Sequence, residues 1–88
     1  MIRRKAVIGN RLGLHARAAA KLVQAANRYH SRVTISTGQL CVDAKSILGV
    51  LTLAAGKDTP VVLEVEGPDE AGAAEALAVL IGSGFGEE

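Results

Sequence analysis

Apolar residues alternate with polar ones in Pro60 to Glu66, where Val61, Leu63 and Val65 share one face and Val62, Glu64 and Glu66 the other. A period of two marks a strand with one buried side. Ile2 to Ile8 alternates in the same way, with Ile2, Ala6 and Ile8 opposite Arg3 and Lys5, and Arg32 to Thr37 does so through Val33 and Ile35. Gly38-Gln39 then reads as a hairpin turn into a strand over Leu40 to Asp43. Between these segments the spacing lengthens to three and four. Ala16 to Tyr29 is rich in helix formers and sets Ala19, Leu22, Val23 and Ala26 inward, with Lys21, Gln24 and Arg28 outward. Ser46 is a good N-cap for a two-turn helix over Ile47 to Leu53. Gly67-Pro68-Asp69-Glu70 opens a third helix, whose inner face is Ala73, Ala74, Leu77, Leu80 and Ile81 and whose end is Gly82-Ser83-Gly84. The order is β-α-β-β-α-β-α. One-faced strands and one-faced helices must cover each other, which predicts an α+β fold of two layers: a four-stranded sheet with three helices on one side. The right-handed crossover rule places the first helix over the sheet between strands one and two.

Eighty-eight residues make a single domain, 1–88, with one core. Only Tyr29 and Phe85 are aromatic, so the core must be close-packed and aliphatic. No apolar run approaches the roughly eighteen residues of a membrane span, and Met1-Ile2-Arg3-Arg4-Lys5 leads into charge rather than a signal peptide. A soluble, cytoplasmic chain without membrane insertion is expected. Cys41 stands alone, which excludes an internal disulfide, and its expected role is packing within a strand. Neither a metal nor a nucleotide cofactor is expected. The one cysteine and the two histidines, His15 and His30, have no ligand spacing, and Gly56-Lys57 lacks the flanking residues of a phosphate-binding loop, with Leu51 and Asp58 in their places.

The net charge of +1 hides an asymmetry. Residues 1–32 carry eight Lys or Arg and no acid, whereas residues 33–88 carry two bases and nine acids. Basic charge gathered in the first third would steer an acidic partner there; the competing reading is a solvated face, with Arg3 to Lys5 solvating an edge strand. Nucleic acid is not the expected partner, because the strands lack aromatics on which bases stack.

That basic third contains Gly13-Leu14-His15-Ala16-Arg17-Ala18-Ala19-Ala20, where a loop gives way to the alanine-rich helix. The first N–H groups of a helix have no intrahelical acceptor and carry partial positive charge, so an oxyanion is their natural occupant. If the helix begins at Ala16, His15 is its N-cap residue, and the N–H groups of Ala16 and Arg17 point towards whatever the imidazole carries. The Arg17 guanidinium offers a planar fork suited to phosphate oxygens. A neutral imidazole keeps a nucleophilic lone pair, so the stretch outlines a site at which a histidine could accept and hold a phosphoryl group. The preceding Gly9-Asn10-Arg11-Leu12-Gly13 loop serves either turn geometry or direct phosphate contact.

Gly13-Leu14-His15-Ala16-Arg17, taken with Ala44-Lys45-Ser46-Ile47-Leu48-Gly49-Val50, resembles the HPr family, the histidine-containing phosphocarriers of the bacterial phosphoenolpyruvate-dependent phosphotransferase system. The likeness spans nearly the whole chain. One departure is Ala18, where the family usually has proline. Proline at a third helical position gives up only an orphan N–H, so alanine keeps the helix and adds a donor. The resemblance implies an open-faced sandwich with an antiparallel sheet of order 1-4-2-3. It implies phosphorylation of His15 at Nδ1 with Arg17 positioning the phosphate. The phosphoryl group would come from enzyme I and leave for an enzyme IIA-type domain, making the chain a transfer intermediate rather than a stand-alone enzyme. Ser46 would be the target of an ATP-dependent HPr kinase/phosphorylase whose action weakens exchange at the histidine. Val50 and Leu53 are assigned to the core. Ile47, Leu48 and Leu51 then join Leu12, Ala16, Ala20, Lys21 and Gln24 in one docking surface, the competing reading being that these leucines are core as well. The ending Gly82-Ser83-Gly84-Phe85-Gly86-Glu87-Glu88 resembles the family's nitrogen-related regulatory branch, whereas the intact Ser46 motif fits the kinase-regulated branch. A binding-only regulator is the remaining alternative, and the presence of His15 argues against it, since such relatives replace that residue.

Overall fold

The computed structural model describes residues 1–87. Its strands are β1 (Ile2–Val7), β2 (Arg32–Ser36), β3 (Cys41–Asp43) and β4 (Pro60–Glu66), and its helices α1 (Ala16–Ala26), α2 (Ile47–Leu53) and α3 (Glu70–Gly82), followed by a 3₁₀ turn at Gly84–Gly86. The four strands form one sheet in the order β1-β4-β2-β3, every neighbouring pair antiparallel. This is the sandwich expected from the resemblance.

Alternation decides which face of the sheet is covered. Val33 and Ile35 in β2 and Val61, Leu63 and Val65 in β4 are buried, and the helices supply the other half of the core through Leu22, Val50, Leu53, Leu77 and Ile81. Alanines at 18, 19 and 26 in α1 and at 73, 74 and 78 in α3 are also buried. Small side chains at these positions let helices lie close on the sheet, which suits a core with one fully buried aromatic ring, that of Phe85. The other face of the sheet is polar, and Arg3 pairs with Glu64 across it at 3.6 Å.

Several expectations need correction. Helix α1 stops at Ala26 instead of Tyr29, because Asn27 bonds Val23 O through both its backbone N–H and its Nδ2, each at 2.9 Å, and the next two residues bond only three positions back. Val23 and Leu80 are half-buried at the rim of the core, and Ala18 and Ala78 take the inner positions. Cys41 is exposed on the outer strand β3 and does not pack. Lys21, expected to face outward, is half-buried. Asp69 precedes α3 but makes no side-chain cap bond. Its carboxylate instead accepts from the N–H groups of His30 and Ser31 and from the Ser31 hydroxyl, tying the start of α3 to the entry of β2.

Candidate functional site

The loop between β1 and α1 is held on three sides before it reaches His15. Asn10 is fully buried and donates from Nδ2 to Gly13 O at 2.8 Å. Gly13 has φ +67°, and a Cβ there would lie 2.5 Å from Ala55 O, so only glycine fits. Leu14 is buried and donates its N–H to the same Ala55 O at 2.8 Å. The segment just beyond α2 is thereby fastened to the residue just before His15, which is why two sequence motifs far apart in the chain meet in space.

His15 is the N-cap of α1, with φ −73° and ψ 178°. Its side chain makes no cap bond, so the imidazole is left for other work. The first intrahelical bond runs from Ala19 N–H to His15 O at 2.8 Å, and the N–H groups of Ala16, Arg17 and Ala18 therefore precede the ladder. Arg17 lies in this first turn, exposed and without an ion pair among the described residues. The structure thus assembles the helix terminus, the histidine and the arginine in the order the sequence implied.

Sequence reasoning missed what lies behind the imidazole. Nε2 of His15 stands 2.7 Å from Glu87 Oε1, and Asn10 Nδ2 donates to the same oxygen at 2.9 Å. The His15 and Glu87 side chains are 26% and 15% exposed, so the pair is largely shielded from water. The hydrogen bond with His15, and after it that from Asn10, holds the Glu87 carboxyl below its ordinary range, while burial opposes them. Glu87 is accordingly a carboxylate at neutral pH.

An unusual backbone carries Glu87 to this place. Gly84 has φ +75° and packs against Asn10, where a Cβ would approach the Asn10 backbone to 3.3 Å. Phe85 follows with φ 59°, a conformation that costs a non-glycine residue about 1–3 kcal/mol. Two contacts offset it. Burial of the ring contributes about 1.5–3 kcal/mol, and Lys21 Nζ donates to Phe85 O at 2.8 Å, a charged hydrogen bond adding about 1.5–3 kcal/mol. The available signal was a lone phenylalanine between two glycines and just ahead of an acid. A ring that large in an aliphatic protein had to be buried, and its burial pulls the acid inward.

At the second motif, Ser46 Oγ accepts from Gly49 N–H at 3.2 Å and caps α2 as expected. Val50 and Leu53 are buried, whereas Ile47, Leu48 and Leu51 are 40%, 74% and 37% exposed, in keeping with an outward apolar patch. Leu12 is also exposed, at 62%. Ala16 and Gln24 are exposed, and Ala20 and Lys21 half-buried. A cavity of about 170 Å³ lined by Met1, Arg32, Thr34, Glu64 and Glu66 lies on the open polar face of the sheet, away from His15. Among the described residues no group of three or more His, Cys, Asp and Glu is arranged to hold a metal ion, and no helix is long and apolar enough to cross a membrane.

A histidine at the head of a helix, backed by a carboxylate, thus stands on a four-stranded open-faced sandwich, and that combination is shared with a known class of small α+β proteins. Residues 2–83 match the family described as "PTS HPr component phosphorylation site". The chain is 53% identical over 87 residues to phosphocarrier protein HPr of Cupriavidus necator, covering 99% of this chain and 98% of that protein. It is 43% identical over 88 residues to phosphocarrier protein HPr of Xylella fastidiosa, covering 100% and 99%. The crystal structure of HPr-C-His from Thermoanaerobacter tengcongensis superposes with a TM-score of 0.95 at 42% identity, covering 100% of this chain and 99% of that one. The chain belongs to the HPr family of phosphotransferase-system phosphocarriers.

Proposed function

We propose that this chain, acting as a single domain in the cytoplasm, accepts a phosphoryl group from enzyme I on Nδ1 of His15 and hands it to enzyme IIA-type domains. The observation that carries the reading is the placement of His15 as an N-cap residue whose side chain caps nothing. Its Nε2 is engaged by Glu87, which leaves Nδ1 as the nitrogen available to a partner.

The chemistry requires little beyond position and charge. The Nδ1 lone pair forms a bond to phosphorus as the bond between phosphorus and the donor histidine breaks, and that electron pair returns to the donor imidazole. Three equatorial oxygens carry the charge through the transition state. The N–H groups of Ala16 and Arg17 and the exposed Arg17 side chain are suited to hold these oxygens. Ala18, with its N–H, adds a third donor where the family usually has proline. Such a grip should be loose, since a carrier must release what it accepts.

Leu12, Ala16, Ala20, Lys21, Gln24, Ile47, Leu48 and Leu51 form the proposed docking surface, an apolar centre with a basic rim suited to transient partners. Ser46 sits at its edge. A phosphate on that hydroxyl would add nearly two negative charges beside Ile47 and Leu48 and so weaken the approach of enzyme I. The intact Ser46 motif supports the kinase-regulated branch, and the ending over residues 82–88 supports the nitrogen-related one.

The relay is tested by incubating the chain with enzyme I, magnesium and labelled phosphoenolpyruvate, then adding a IIA-type domain. Label should enter the chain and then leave it for the second acceptor. A folded chain that takes no label from a competent enzyme I would overturn the reading.

A further inference from the structure

We infer that Glu87 is a positioning residue for the phosphoryl acceptor, fixing the proton of His15 on Nε2 and thereby directing the lone pair to Nδ1. The inference rests on the carrier reading of His15 and names a residue that deepens it.

The contact with Glu87 sets the tautomer of His15. A carboxylate can only accept, so in the 2.7 Å contact between Nε2 and Glu87 Oε1 the proton must lie on the imidazole nitrogen. In a neutral ring the other nitrogen, Nδ1, then holds the lone pair. The same oxygen also accepts from Asn10 Nδ2 at 2.9 Å, and Asn10 is fully buried and braced against Gly13 O. Carboxylate, amide and loop therefore share one rigid frame with the residue that precedes the site by two positions.

Glu87 Oε1 takes both of the side-chain hydrogen bonds at this carboxylate, one from the imidazole and one from Asn10. The Phe85 backbone that brings it there is held from α1 by Lys21. During transfer the N–P bond forms at Nδ1, the donor's P–N bond breaks, and the Nε2 proton stays where it is. The His15 ring gains positive charge as this happens, and a carboxylate at 2.7 Å opposes that charge's cost. A carboxylate that orients a histidine and stabilises its cationic form is the arrangement found behind catalytic and metal-binding histidines.

The test uses the intact protein labelled with nitrogen-15 in its histidine rings. Nitrogen–proton correlation spectra assign the ring proton, and exposed His30 serves as an internal reference, its backbone N–H alone bonding to Asp69. Wild-type His15 should show a persistent Nε2–H signal that His30 lacks. Glu87→Ala should lose that signal and accept phosphoryl groups from enzyme I roughly tenfold more slowly. Glu87→Gln, which keeps an acceptor without the charge, should retain the signal and recover part of the rate. The amide spectrum of each variant reports whether the fold is intact. A wild-type ring protonated at Nδ1 would overturn the inference, as would Glu87→Ala with signal and rate both unchanged. A wild-type chain with the expected Nε2–H but no transfer would instead overturn the carrier reading on which the positioning role depends.

Discussion

Asp69 illustrates how much one side chain can do at a junction between elements. Its carboxylate gathers the Ser31 hydroxyl and the N–H groups of His30 and Ser31, and these bonds lower its pKa from 3.8 to about 2, the Ser31 hydroxyl having the largest effect and the His30 N–H the next. Because the folded pKa is depressed, the stabilisation is fully present above pH 4 and is lost as pH falls from about 4 to about 2. Asp69→Asn should therefore lower the thermal midpoint at pH 7, and the difference from wild type should shrink as the pH is lowered through that window in a melting series. A constant difference across the window would show that the carboxylate's charge is not what matters. His15 and Arg17 were legible in the sequence because a helix terminus is a local event and both lie within its first turn. Glu87 was not, because its contact with His15 spans 72 positions and depends on left-handed backbone at Gly84 and Phe85, which no local pattern announces.

Helix α2 is the element most plainly written in the sequence, with Ser46 as its cap and Ile47–Leu53 as its length. Ser46→Ala removes the bond to Gly49 N–H and should destabilise the domain by about 1 kcal/mol, measurable by denaturant unfolding. Ser46→Asp keeps an acceptor at the cap yet adds charge beside the patch, so acceptance from enzyme I should slow while stability changes little. An unchanged rate would leave Ser46 as a cap alone. Leu48, 74% exposed, separates docking from folding in the other direction. Leu48→Ala should leave stability within about 0.5 kcal/mol and raise the KM of enzyme I for this chain several-fold, as loss of an interface anchor of about 1 kcal/mol would. An unaltered KM would remove Leu48 from the docking surface. Element boundaries were less legible where side chains compete with the ladder. Asn27 ended α1 three residues early, and β3 begins at Cys41, one residue after the Thr37 N–H to Leu40 O bond that closes the hairpin.

For the whole molecule, periodicity established two layers and the face each strand buries, but not which strands are neighbours. Every one of the four strands has one apolar face, and that is equally true of any strand order, so the order β1-β4-β2-β3 came from resemblance and is now observed. The folded chain fastens the segment after α2 to Leu14 and brings the turn after α3 against Asn10, so that elements from the middle and the far end of the chain converge on one imidazole. Phosphoryl transfer to the proposed acceptor, the His15 imidazole, is tested most directly by the intact mass of the chain after incubation with enzyme I, magnesium and phosphoenolpyruvate, before and after brief acid treatment. The chain should gain the mass of one phosphoryl group, lost in acid and absent from a folded His15→Ala variant. An acid-stable adduct, or one that persists in that variant, would contradict the assignment to His15.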